Sequence, residues 1–205
     1  DDIVVYKDDA RAAVLVRFHM LRQQQPMADG RPNLSLADFV APKDSFAPDY
    51  IGAFAVTTGI GLDDVVREYE AQGDDDSAII ARALADGLAE AFAQFLHAQV
   101  RDDWGYVDAA NDRGIRPAFG DPSCPDPTGK QPLFRLLHAP EIGLDLAESF
   151  AITPAASVSG IYLAHPEAVY FDVGPLGRDQ VEDYARRTGK TMDEAERWLA
   201  PNVGY

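Results

Sequence analysis

Asp86 and Glu90 stand one helical turn apart in a stretch with helical periodicity, so both carboxylates project from one face and could carry chemistry together. Around the helix that face lies opposite Leu84, Leu88 and Ala91, and pattern alone favours a solvated acidic face. Arg116 opens "RPAFGDPSCPDPTGK" at 116–130, a stretch of four prolines that can be neither helix nor strand. The following proline biases Arg116 to extended backbone, and a guanidinium fixed in that way suits bidentate capture of a carboxylate or phosphate. A rigid connector carrying a surface arginine fits the same residues. Cys124 sits among those prolines with no histidine nearby in sequence and reads as an inert thiol rather than a nucleophile. His165, at a turn, reads as structural, and Tyr170 and Phe171 read as core rather than as a ligand platform.

The elements that must position these residues are mixed. "DIVVY" at 2–6, followed by alternation through Val14, Val16, Phe18 and Met20, predicts a hairpin. Residues 32–46 are irregular, 50–59 predict a strand ending at glycine, and 63–71 predict a short helix. The clearest helix spans 76–100, where Ile80, Leu84, Leu88, Ala91, Phe92, Phe95 and Leu96 recur at three and four residues. They form one apolar stripe, the side that an amphipathic helix packs on a core. A short helix is expected near 133–137, two strands around "HPEA" over 156–174, and helices at 178–187 and after the Thr191/Glu194 capping box. Strands and helices do not alternate and no phosphate-binding glycine motif occurs, so the fold class expected is α+β, one domain over 1–205.

Composition excludes several partners. With 34 acidic against 18 basic side chains, a formal charge of −16 makes nucleic acid and an anionic membrane surface unfavourable. No apolar run approaches the roughly 20 residues of a membrane helix, and the cytosol is the compartment expected. One cysteine and four histidines show no metal-ligand spacing, so no metal site is expected.

Longer motifs go further. "RQQ" at 22–24, "LADFVAPKDS" at 36–45, "DYIGAFAVTTG" at 49–59, "ALADGLAEAF" at 83–92, "GIRPAFGDPSCPD" at 114–126, "ASVSGIYLAHPEAVYF" at 156–171 and 179–205 closely resemble, in order, the C-terminal activation domain of cobalamin-dependent methionine synthase. The resemblance implies one domain with a mostly antiparallel twisted sheet and flanking helices. It implies a module that binds S-adenosylmethionine and docks over a neighbouring corrinoid domain, which holds the cobalamin. Reductive methylation of cob(II)alamin would then draw its electron from flavodoxin or a flavoprotein reductase. As part of methionine synthase the module would serve a methyltransferase, with no complete active site of its own. An alternative is a docking or capping module that has lost the methyl donor.

Residue by residue, the resemblance gives Arg116 to the ligand carboxylate, the Ala118 backbone and small side chain to the ligand's approach, and Glu90 to its amino end. Tyr170 and Phe171 would flank the adenosyl part, and Asp86 would face the corrinoid domain. Asp121 stands where the family usually has tyrosine, which keeps it a candidate at the ligand in altered form. An acid that relatives carry before "GIRP" falls near Ala110 here, and an N-terminal aspartate that binds the amino group in relatives is expected to precede this chain.

Overall fold

Five β-rich residues form β1 (Asp2–Tyr6), and β2 (Val14–His19) returns antiparallel to it, pairing Ile3 with Phe18 and Val4 with Arg17. The alternation seen in sequence becomes burial in its second half: Phe18 and Met20, with Ile3 opposite, are almost wholly inside, Val16 is half-buried and Val14 is exposed. The computed structural model describes residues 1–26, 30–45, 47–105 and 114–205. Its chain divides into two compact units, one comprising Asp1–Gly52, Arg113–Pro132 and Ile161–Tyr205, the other Ala53–Asp112 and Leu133–Gly160.

In the first unit the irregular stretch resolves into two short 3-10 turns, Leu36–Phe39 and Lys43–Ser45. A capping box between Ser35 and Asp38 opens the first of them, and Phe46 lies outside the described residues. Two helices close the chain, α4 (Arg178–Thr188) and α5 (Met192–Trp198). Gly189 ends α4 in the left-handed region, and the expected Thr191/Glu194 box forms at α5. Leu21, Val173, Leu176, Val181, Tyr184 and Leu199 make the core beneath them.

The second unit holds β3 (Gly52–Thr57, from Ala53 on), α1 (Leu62–Ala71), α2 (Asp75–Asp103) and most of α3 (Lys130–Leu137). A small antiparallel pair, β4 (Asp145–Leu146) with β5 (Ile152–Thr153), packs near Phe134, Ala139 and Leu144. β3 pairs with β6 (Ser157–Tyr162). The fold is therefore α+β, as expected, and among the described residues its strands are distributed over three two-stranded sheets.

Two expectations are corrected. The large apolar stripe of α2 does not face a core: Ile80, Leu84, Leu88 and Phe95 are 57–65% exposed and Phe92 44%. The buried flank is Ala78, Ala85, Ala89, Ala93 and His97. At about 100° per residue those alanines lie on a different side of the helix from Leu84 and Leu88. Small side chains allow close backbone approach, and Thr58 uses it by donating its hydroxyl to the Ala85 carbonyl at 2.7 Å. The second arm around "HPEA" also differs. The turn forms, with the Ala168 amide donating to the His165 carbonyl at 3.0 Å, but residues 169–173 join no sheet. Their backbone groups are taken elsewhere: the Asp172 carbonyl accepts from Gln23 Nε2 and the Val173 amide donates to Pro122.

Candidate functional site

The proline-rich stretch begins as a strand-like edge. The Ile115 amide donates to the Leu163 carbonyl at 2.9 Å, the Leu163 amide returns the bond at 3.0 Å, and the Ile161 amide reaches Pro117 at 3.1 Å. Side chains accordingly alternate, with Ile115, Pro117 and Phe119 buried and Arg116 and Ala118 half-buried on the other face. Gly114 permits the pairing, because its φ is +85° and a Cβ there would meet the Leu163 carbonyl oxygen at 2.8 Å.

Because Ile115 is the residue paired with Leu163, the Arg116 amide points away from that edge. It donates to the Tyr170 hydroxyl at 2.9 Å. Arg116 and Tyr170, 54 positions apart in the chain, are thus brought together. Phe171 follows with its ring 6.4 Å from that of Phe39, edge to face. His165 turns its ring toward Phe39 too, and its Nδ1 accepts from the Glu167 amide.

Beyond Pro117 the loop closes on itself. The Ala118 amide donates to the Asp121 carboxylate at 2.9 Å, while the Ala118 carbonyl accepts from the Asp121 amide at 3.0 Å and from the Cys124 thiol at 2.9 Å. The polar backbone of Ala118 is therefore engaged inside the loop, and its small side chain is what it leaves on the Arg116 face. The Phe119 ring pins the loop between Phe18, at 5.3 Å, and Gly129, where a Cβ would fall 2.3 Å from the ring.

Electrostatics follows burial. Burial, with the charges of Asp121 and Asp126 adding, pushes the Cys124 thiol up to about 12, which disfavours the thiolate a nucleophile needs. Burial also lowers the Lys130 ammonium, with the Asp121 charge opposing the shift. Tyr162, 3% exposed, is raised by burial to about 12 although the Arg116 charge pulls the other way. Sequence reasoning missed Tyr162 beside Arg116, and it missed Asp126. The latter is buried, with its carboxylate accepting from the Tyr184 hydroxyl at 2.8 Å and from Lys190 Nζ at 3.1 Å. Nothing local in the sequence signals either, because partners 46 and 58 positions away complete them.

Arg116, Ala118, Asp121, Tyr170 and Phe171 all belong to the first unit, and Asp86 and Glu90 lie on α2 in the second, both exposed. Ala110 lies outside the described residues. A groove of about 460 Å³ in the first unit, between β1 and residues 37–49, contains none of these candidates. Among the described residues no group of three His, Cys, Asp or Glu could hold a metal ion, and no helix is long and apolar enough to cross a membrane.

The chain is similar over its whole length to a crystal structure of the MetH reactivation domain bound to AdoHcy, at 50% identity and a TM-score of 0.95. It spans 66% of that solved chain. The family model for the activation domain of vitamin B12-dependent methionine synthase matches residues 1–189. The chain belongs to the family of methionine synthase activation domains.

Proposed function

We propose that this chain binds S-adenosylmethionine along the Arg116 edge and holds its methyl group for transfer to a cobalamin carried by a neighbouring corrinoid domain of methionine synthase. The observation that carries the reading is the fixed Arg116: its peptide is held by the Tyr170 hydroxyl on one side, and its neighbours Ile115 and Pro117 are tied to Leu163 and Ile161 on the other. The similar reactivation domain crystallised with AdoHcy, the demethylated product of the same donor, supports it.

A guanidinium carried on a backbone already fixed can take the ligand carboxylate as a two-bond fork with only its side chain left to order. Tyr170, 58% exposed, offers ring surface next to it, and Phe171, packed on Phe39 and the core, anchors the segment that carries it. Ala118 leaves room for close approach. The sulfonium carries the activation of the methyl with it, so positioning is the main task of these residues. The cobalamin, bound elsewhere, would supply the metal that accepts the methyl once one electron arrives from flavodoxin or a flavoprotein reductase. The net charge of −16 favours approach of a cationic donor. The exposed Asp86 on α2 is proposed to meet the corrinoid domain.

Calorimetric titration of the protein with S-adenosylmethionine tests the site. Arg116→Ala is expected to lose about 2–3 kcal/mol, a roughly 30- to 150-fold rise in Kd, with the fold retained. In the full-length enzyme the same substitution should slow reductive methylation and leave corrinoid binding intact. Unchanged affinity in Arg116→Ala would remove the site, and a protein with Arg116 in place that binds no donor would leave the docking or capping reading instead.

A further inference from the structure

Arg116 is followed by a proline, which has no amide hydrogen. The backbone donors that bracket the Arg116–Pro117 pair are therefore those of Arg116 itself and of Ala118. The first goes to Tyr170, and the second goes to the Asp121 carboxylate at 2.9 Å. The same aspartate also donates its amide to the Ala118 carbonyl at 3.0 Å and accepts the Cys124 amide at 2.9 Å. Its side chain thus closes, from the far side, a turn that its backbone already closes from the near side. Gly120, with φ at +105°, lets the chain reverse between the two ends and donates its own amide to the Cys124 carbonyl.

We propose that Asp121 is a positioning residue for Arg116: its carboxylate clamps the Ala118 amide and so fixes where the arginine stands, acting on the methyl donor through the loop and not by contact with it. The proposal deepens the functional reading above and rests on it. Two consequences separate it from a direct electrostatic role toward the cationic donor. What matters in the clamp is an acceptor oxygen, so asparagine replaces aspartate and alanine does not. The clamp also exists without ligand, so it is visible in the free protein.

The experiment compares Asp121→Asn and Asp121→Ala with the unaltered protein in two measurements, the Kd for S-adenosylmethionine and the hydrogen-exchange rate of the Ala118 amide in the absence of ligand. Asp121→Asn is expected to stay within about threefold of the unaltered protein in both. Asp121→Ala is expected to bind about tenfold more weakly and to exchange the Ala118 amide at least about tenfold faster, with circular dichroism unchanged. An Asp121→Ala protein that keeps both values overturns the proposal. So does an Asp121→Asn protein that binds as weakly as Asp121→Ala while Ala118 stays protected, since the charge would then act on the donor itself. Failure of the functional reading shows up separately: the unaltered protein then binds no donor, while Ala118 exchange still separates the alanine variant from the other two and upholds the clamp.

Discussion

Asp126→Ala is expected to lower the stability of the protein by about 3–5 kcal/mol, the cost of breaking a buried ion pair by removing one partner. In a chain of this size that corresponds to a fall in Tm of about 6–20 °C, readable by calorimetry. Asp126 is 4% exposed and its two oxygens are fully used. One accepts the Thr128 amide at 2.8 Å, capping the short turn Pro127–Gly129, and the other accepts from Tyr184 and Lys190. Alanine would strand the Tyr184 hydroxyl, which is buried, and remove the anion that faces the Lys190 ammonium. Thr128 Oγ1, 2.9 Å from Lys190 Nζ, offsets only part of that loss. The double variant Asp126→Ala with Lys190→Met should therefore be less damaged than the aspartate change alone. A loss below about 1 kcal/mol for Asp126→Ala would show that the network holds nothing.

The second large effect is alkaline. Three buried acids among the described residues hold their protons to unusually high pH: Cys124 and Tyr162 are each raised to about 12, and Tyr184 is raised well above its ordinary 10 by burial first and by the Asp126 charge and hydrogen bond next. Each holds its proton to higher pH folded than unfolded, so between the two values the unfolded chain carries fewer protons. Stability is then complete well below the free thiol's ordinary 9, and falls as pH rises through that value toward 12. Cys124 alone should account for about 1 kcal/mol of loss at pH 10 and about 3 kcal/mol at pH 11. Denaturant midpoints measured from pH 8 to 11 should decline in the unaltered protein and more gently in Cys124→Ala. Parallel declines in the two proteins would exclude the thiol as the cause.

Much of the fold was legible because its signals are local. The hairpin shows as alternation from Val14 to Met20, the start of α5 as Thr191 with Glu194, and the end of α4 as Gly189. The extent of α2 was equally readable, yet its buried side was not. Periodicity finds the face with the largest apolar side chains, whereas α2 buries alanines, whose small volume permits close packing that hydrophobicity alone does not reveal. Residues 169–173 have strand-like composition, but a side chain and a proline-rich loop satisfy their backbone before any strand can. At the site, the extended Arg116 followed from Pro117, and the inert Cys124 from its surroundings. Asp121 binding Ala118 three residues back was within reach of sequence reasoning, since aspartate commonly serves nearby amides. Tyr162 beside Arg116 and Tyr184 on Asp126 were not, because only the folded chain unites them.

The outward side of α2 bears on how the molecule behaves in bulk. Ile80, Leu84, Leu88, Phe92 and Phe95 form a greasy strip on a polypeptide that otherwise repels its own copies through a charge of −16. Ionic strength acts on both halves of that balance in one direction. Dissolved salt shortens the range of the repulsion to about 8 Å at physiological levels, and sulfate or phosphate also strengthens apolar contact. The colloidal stability of this chain is thus greatest in dilute buffer, and light scattering should register clustering as ammonium sulfate is added well before the fold itself is disturbed.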